Sequence, residues 1–183
     1  MNSPLKQISF AVLVLAQLGV LAWMVFDRNQ LVSRGEKILL ECEPIDPRSL
    51  LSGDYVILNY RISRFGPGEV EQLLRGEKSF RKSRPVWVVL EKAEDSDFHE
   101  ATAITGDPGL LEDGETFLRG KVASFNGSHL RIRYGLEQYF VPQNQGKAIE
   151  REMNKASVEV AVNPGGDGAV TRIFIEGEEV KFH

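Results

Sequence analysis

Tyr55-Val56-Ile57-Leu58-Asn59-Tyr60-Arg61-Ile62 is the most strand-like stretch of this chain. Val56, Leu58, Tyr60 and Ile62 share one face, and Tyr55, Ile57, Asn59 and Arg61 the other, the period of two that marks a half-buried strand. Its β-branched and aromatic residues suit a pleated surface with one side in a core. Ser52-Gly53-Asp54 supplies turn chemistry just before it, since glycine reaches positive φ freely and an aspartate accepts backbone N–H groups. Upstream, Ile38, Leu40 and Cys42 alternate with Lys37, Glu41 and Glu43, with Leu39 the one exception, and predict another strand. Pro44 and Asp46-Pro47-Arg48 punctuate the segment between the two.

The pattern continues downstream. Glu69 to Arg75 predicts a short helix, Val86 to Leu90 a compact buried strand, and Ala101 to Ile104 another. Phe117 to Tyr134 reads as a hairpin with Asn126-Gly127 at its tip. A two-residue loop would set Lys121 against Ile132. A three-residue loop of Phe125, Asn126 and Gly127 sets Val122 against Leu130 and Leu118 against Tyr134, and is preferred because it keeps apolar residues together. Arg119, Lys121, Arg131 and Arg133 then share the opposite face, where like charges repel and call for acidic compensation, an anionic lipid headgroup or an acidic partner. Gln143 to Asn154 predicts a short polar helix, and strands near Val158 to Val162 and Val170 to Ile175 close the chain through Asn163-Pro164-Gly165-Gly166-Asp167-Gly168. Roughly eight strands with one or two short helices predict a mainly β domain, barrel- or sandwich-like.

Before this domain stands ISFAVLVLAQLGVLAWMVF, Ile8 to Phe26, without a charge. As a helix it spans ~28 Å, close to the ~30 Å hydrocarbon core. Trp23 lies where an interfacial aromatic would, Asp27 and Arg28 stop the run, and Gln17 in its middle can hydrogen-bond a helix of a membrane partner. A cleaved signal peptide would carry a shorter apolar run ending in small residues, not in Trp23-Met24-Val25-Phe26. The expected organisation is a transmembrane anchor over residues 1–30 and an extracytoplasmic domain over 31–183. Lys6 and the amino terminus favour a cytoplasmic N-terminus at the inner membrane, although Arg28, Arg34 and Lys37 weaken the asymmetry.

Composition excludes several functions. The chain carries a formal net charge of −4, and with Lys6 the sole charged side chain before Asp27 the domain is more acidic still, which argues against general nucleic-acid binding. Cys42 is the single cysteine, so there is no intrachain disulfide, zinc ribbon or Cys-x-x-Cys chemistry. Its face of the strand predicts an inert, buried thiol. His99, His129 and His183 lack metal-ligand spacing, Gly66-Pro67-Gly68 is no phosphate loop, and no nucleophile elbow is present. No cofactor and no metal are expected. The anchor followed by Gly53-Asp54-Tyr55-Val56 resembles the entrance to type I signal peptidases, but Ile45 stands where their nucleophilic serine should.

Gly53-Asp54-Tyr55-Val56-Ile57-Leu58-Asn59-Tyr60 is similar to the pattern that names the bacterial GDYXXLXY protein family. Asp46-Pro47-Arg48-Ser49-Leu50-Leu51 resembles that family's approach to the motif, and Arg133-Tyr134-Gly135-Leu136-Glu137-Gln138-Tyr139-Phe140-Val141-Pro142 its second recurrent stretch. The resemblance implies a membrane-anchored, extracytoplasmic protein, often encoded beside polytopic membrane proteins, and supplies no established activity. From the residues, Gly53, Asp54, Tyr55, Leu58 and Tyr60 have a structural role in strand and turn. Alternatively, Asp46, Arg48, Asp54, Tyr55, Glu137 and Tyr139 converge on a polar pocket, whose first requirement is proximity of the two stretches. The leading expectation is a non-enzymatic accessory subunit held by the bilayer and engaging a polytopic membrane protein. A small-ligand-binding module is the second, and a hydrolase built on Asp54 and Glu137 the third, which needs the two carboxylates about 5 to 10 Å apart in a cleft.

Overall fold

A computed structural model describes residues 4–43, 55–76, 80–140 and 156–181. The expected helix at Gln143 to Asn154 lies outside them, as do Asp46, Arg48, Gly53 and Asp54. The fold is mainly β, with one long N-terminal helix, one short helix and sheets that curl into a half-barrel.

Helix α1 (Pro4–Arg34) has 31 residues. The most apolar window within Ile8–Arg34 has a mean hydropathy of 2.3 and is wholly unburied by the rest of the chain, so this helix is long and apolar enough to cross a membrane. Trp23 and Phe10 stand out at 71% and 68% exposure. Asp27 and Arg28 end the apolar run but not the helix, which continues for two more turns along the domain. There Leu31 is buried against Ala161 and Ala169, and Arg28 Nη1 donates to the Gly168 carbonyl at 3.1 Å. Gly35 alone separates α1 from the first strand. A Cβ at this position would stand 2.5 Å from the Leu31 oxygen and 3.0 Å from the Val162 oxygen, so a side chain here would force helix and strand apart.

Strand β1 (Glu36–Glu41) buries Ile38 and Leu40 as the alternation predicts. The exception, Leu39, keeps its side chain half-buried, and its N–H donates to His99 Nδ1 at 3.2 Å. β1 pairs antiparallel with β9 (Ala156–Val162), which pairs with β10 (Gly168–Ile175), and β10 ends in a short hairpin with β11 (Glu178–Glu179). The second sheet runs β3-β7-β6-β4-β5, from β3 (Arg64–Phe65), β4 (Pro85–Lys92), β5 (His99–Thr105), β6 (Thr116–Phe125) and β7 (Leu130–Arg133). Helix α2 (Pro67–Leu73), begun by Pro67 and by Glu69 reaching back to the Gly66 N–H, leads into the edge of β5, where the Arg75 N–H donates to the Ile104 carbonyl. The smallest sheet pairs β2 (Tyr55–Ile57) with β8 (Gln138–Phe140). The strand expected to run on to Ile62 thus ends at Ile57: the Ser63 N–H donates to the Tyr60 carbonyl at 2.9 Å and closes a 3-10 turn over Arg61–Ser63, while Val56, Leu58, Tyr60 and Ile62 are buried as the alternation predicts. A bridge between Cys42 and Tyr60 ties the end of β1 to the segment after β2.

One core joins all three sheets: Ile38, Leu40, Val158 and Val160 meet Val56, Leu58 and Tyr60, and these meet Val86, Val88, Leu118 and Ile132. Cys42 lies in that core, with burial and the nearby Glu41 pushing its thiol up to about 12, the inert state expected.

The β6–β7 hairpin corrects the expected register. Phe125 pairs with Leu130, so the loop has four residues, Asn126 to His129, and Val122 faces Ile132 instead of Leu130. The Asn126 carboxamide oxygen accepts the His129 N–H at 2.9 Å, closing a longer turn than a bare Asn-Gly pair predicts. A bulge at Ala123 then absorbs the extra residue. The two departures cancel in parity: Leu118, Val122, Leu130 and Ile132 are buried, while Arg119, Lys121, Arg131 and Arg133 are exposed on one face.

Candidate functional site

The two family-like stretches are adjacent. Tyr55 pairs with Phe140, Val56 with Tyr139 and Ile57 with Gln138, and the Leu58 N–H donates to the Glu137 carbonyl at 2.8 Å. Two tyrosines fasten the contact in opposite directions. The fully buried Tyr60 hydroxyl donates to the Leu136 carbonyl at 2.7 Å, and the Tyr134 hydroxyl donates to the Ile62 carbonyl at 2.6 Å. Burial raises the pKa of both phenols well above 10, so each stays a proton donor across the neutral range. The sequence motif thus places a tyrosine where a buried carbonyl needs a donor.

Glu137 stands at the head of β8 with its carboxylate folded back on the preceding turn, one oxygen accepting the Tyr134 N–H and the other the Gly135 N–H at 2.9 Å. This bracing holds Gly135 at its positive φ of 78°. Of the other residues expected in a polar pocket, Tyr139 packs its half-buried ring against the core, and Tyr55 is described only through its backbone pairing. Leu58 and Tyr60 are both fully buried, and among the described residues the motif builds core.

On the outer side of the same contact, Ile57, Glu137 and Gln138 form one wall of a groove of about 1000 Å³. Arg119, Lys121 and Ala123 of β6 are its floor, Arg133 to Gly135 and Lys82, Ser83 and Pro85 flank it, and Asp167 closes one end. The groove therefore brings together two features that the sequence presents separately: the second motif stretch and three of the four cations of the basic face. Arg131 stands apart, opposite Arg64 on β3. Lys121 faces Arg133 directly across the strands, an unfavourable like-charge pair.

The electrostatic compensation is partial. Arg119 meets the Asp167 carboxylate at 2.6 Å, and its N–H donates to the Gly166 carbonyl at 2.8 Å. Lys82, Lys121 and Arg133 have no carboxylate within ion-pair distance among the described residues. Four cations against two carboxylates, one of them already accepting two backbone N–H groups, leave the groove positive in an acidic domain. Lys82 and Asp167 carried no sequence signal, since each is brought to the groove by a loop whose course depends on the whole sheet.

A second, acidic groove of about 440 Å³ runs along Glu36, Glu91, His99, Glu112, Asp113 and Glu115. Its carboxylates are spread out, and among the described residues no three His, Cys, Asp or Glu side chains gather to hold a metal ion.

These features define a class: a β-rich domain carried directly on one long apolar helix, organised around two paired, tyrosine-fastened segments. The chain belongs to the GDYXXLXY protein family, which matches residues 17–173, from within α1 to the last core residue of β10. No curated protein and no solved structure matches it.

Proposed function

We propose that this chain is a membrane-anchored, non-enzymatic accessory protein that holds its β-rich domain at the outer face of the inner membrane and engages a polytopic membrane protein. The observation that carries the reading is the junction at Gly35. A tether that only retained the domain would tolerate a flexible linker, whereas here α1 runs into β1 through one glycine and buries Leu31 in the domain. Such a joint fixes the domain's height and orientation relative to the bilayer, which a partner embedded in that bilayer would require. Leu31 in the domain also favours a retained helix, since removal of α1 would uncover Ala161 and Ala169. With the N-terminus cytoplasmic, Gln17 lies mid-bilayer, where its amide can bond a partner helix.

Purification of the full-length protein from its native membrane in mild detergent, beside a Gln17→Leu variant, tests the reading. A multi-pass protein recovered in stoichiometric amount, and depleted by the variant, is the expected result. Recovery of the chain alone in detergents of several strengths would overturn it. A second reading, an extracytoplasmic module for a polar ligand, is favoured by the positive groove beside the motif contact.

A further inference from the structure

The basic groove and the foot of the membrane helix are next to each other. Phe26 ends the apolar run, and Arg28 follows about 3 Å further along the helix axis, at the level of the lipid headgroups. The Arg28 guanidinium donates to the carbonyl of Gly168. Its neighbour Asp167 pairs with Arg119 at the end of the groove, and the Arg119 backbone is hydrogen-bonded to Gly166. Gly166 has a φ of 80°, and a Cβ there would stand 2.7 Å from the Phe117 ring, so the turn lies flat on β6. A short rigid path therefore joins the bilayer surface to the line of cations Arg119, Lys121, Arg133 and Lys82.

We infer that this groove binds the phosphate headgroup of an anionic phospholipid in the leaflet from which the domain emerges. Lys82, Lys121 and Arg133, which meet no carboxylate among the described residues, supply donors, and a guanidinium and an ammonium facing each other across β6 and β7 suit a phosphate that replaces their mutual repulsion with two attractions. Ile57, Pro85 and Ala123, none of them fully buried, give the groove an apolar component that fits a glycerol backbone. Depth favours a lipid over a soluble anion, because the lipid is already concentrated at the height where α1 holds the groove. The inference rests on α1 being a retained anchor, but not on the existence of a protein partner.

The test uses the full-length protein, stripped of lipid in mild detergent and titrated with short-chain phosphatidylglycerol, with phosphatidylcholine, with inorganic phosphate and with a polyglutamate peptide, bound species being counted by native mass spectrometry. The expected result is one phosphatidylglycerol per chain, not displaced by millimolar phosphate or by polyglutamate, with phosphatidylcholine bound far more weakly. Lys121→Ala with Arg133→Ala should weaken it about 25-fold, at roughly fivefold for each cation. Arg64→Ala with Arg131→Ala removes the same charge from the same sheet outside the groove and should weaken it less than threefold.

Equal loss in both double variants, no preference over phosphatidylcholine, or displacement by free phosphate or by the acidic peptide would each overturn the inference. Extraction of native membranes with alkaline carbonate separates the two possible failures. Release of the chain by carbonate would sink the anchor, whereas a chain that stays in the membrane and shows none of the expected lipid selectivity would sink only the groove.

Discussion

Replacing Tyr60 with phenylalanine removes one oxygen from a fully buried side chain and isolates the test to one hydrogen bond. The hydroxyl donates to the Leu136 carbonyl at 2.7 Å, and Leu136 is itself buried. The lost bond contributes about 1 kcal/mol net, and a buried carbonyl left without a donor adds a further 1 kcal/mol or more, so the change should cost about 2 kcal/mol. For a domain of this size that lowers Tm by about 4 to 8 °C. Thermal unfolding of the full-length protein in mild detergent, followed by circular dichroism, measures it. Tyr134→Phe removes the reciprocal bond to Ile62. Because both bonds fasten the same pair of segments, the double variant should depart from additivity by about 0.5 kcal/mol or more. A Tyr60→Phe protein melting within about 1 °C of wild type would refute the assignment of this motif residue as the donor that holds β2 to β8.

Gly35→Ala should cost about 1 to 3 kcal/mol, because the new Cβ meets backbone oxygen on two sides; enhanced protease cleavage near Arg34 would show the helix lifted from the domain. Glu137→Gln keeps the shape but leaves only one oxygen to accept from Tyr134 or Gly135, and should lower stability by about 1 to 2 kcal/mol in chemical denaturation. Stability should also fall in alkali. The Cys42 thiol ionises near 9 when unfolded but only at about 12 when buried, so between these values the unfolded state holds fewer protons and is favoured, by up to ~1.4 kcal/mol per pH unit. Tyr60 and Tyr134 steepen the loss above pH 10, and Cys42→Ala should leave a plateau up to that point in urea midpoints measured against pH. At the acid end, burial lowers the His99 pKa, so the unfolded state takes up the proton first as pH falls below 6.5; a modest decline there, absent in His99→Gln, is the expected result.

Long patterns made most of the fold legible. The uncharged run from Ile8 to Phe26 and the alternation at Ile38 to Cys42 each constrain many residues at once, and the structure follows them; the alternation from Val56 to Ile62 foretells which side chains are buried but not the backbone, which leaves the strand after Ile57. The hairpin register at Asn126 was missed because a side-chain hydrogen bond set the loop length, yet the basic face survived, since period-two alternation fixes faces even where a bulge shifts partners. Strands as short as β3, β8 and β11 carry too few residues for periodicity, and β2 finds β8 more than eighty positions away in the chain. The two motif stretches could thus be matched by residue type, but their contact, and the groove on its outer side, emerge only from tertiary packing. Helix α1 outlasts its apolar run for a similar reason: packing of Leu31, and not hydropathy, carries it to Arg34.

The central claim is that α1 and Gly35 fix the domain so that the Asn163 to Gly168 turn, and the groove beside it, stand at the bilayer surface. A spin label at Pro164→Cys, exposed at the tip of that turn, in a Cys42→Ala background and reconstituted into vesicles, reports its depth through collision with lipid-soluble and water-soluble relaxation agents. The account predicts a single population in the headgroup region, within about 10 Å of the hydrocarbon edge. A label far out in water, or spread over a broad range of depths, would contradict a fixed junction and remove the basis for the groove's lipid.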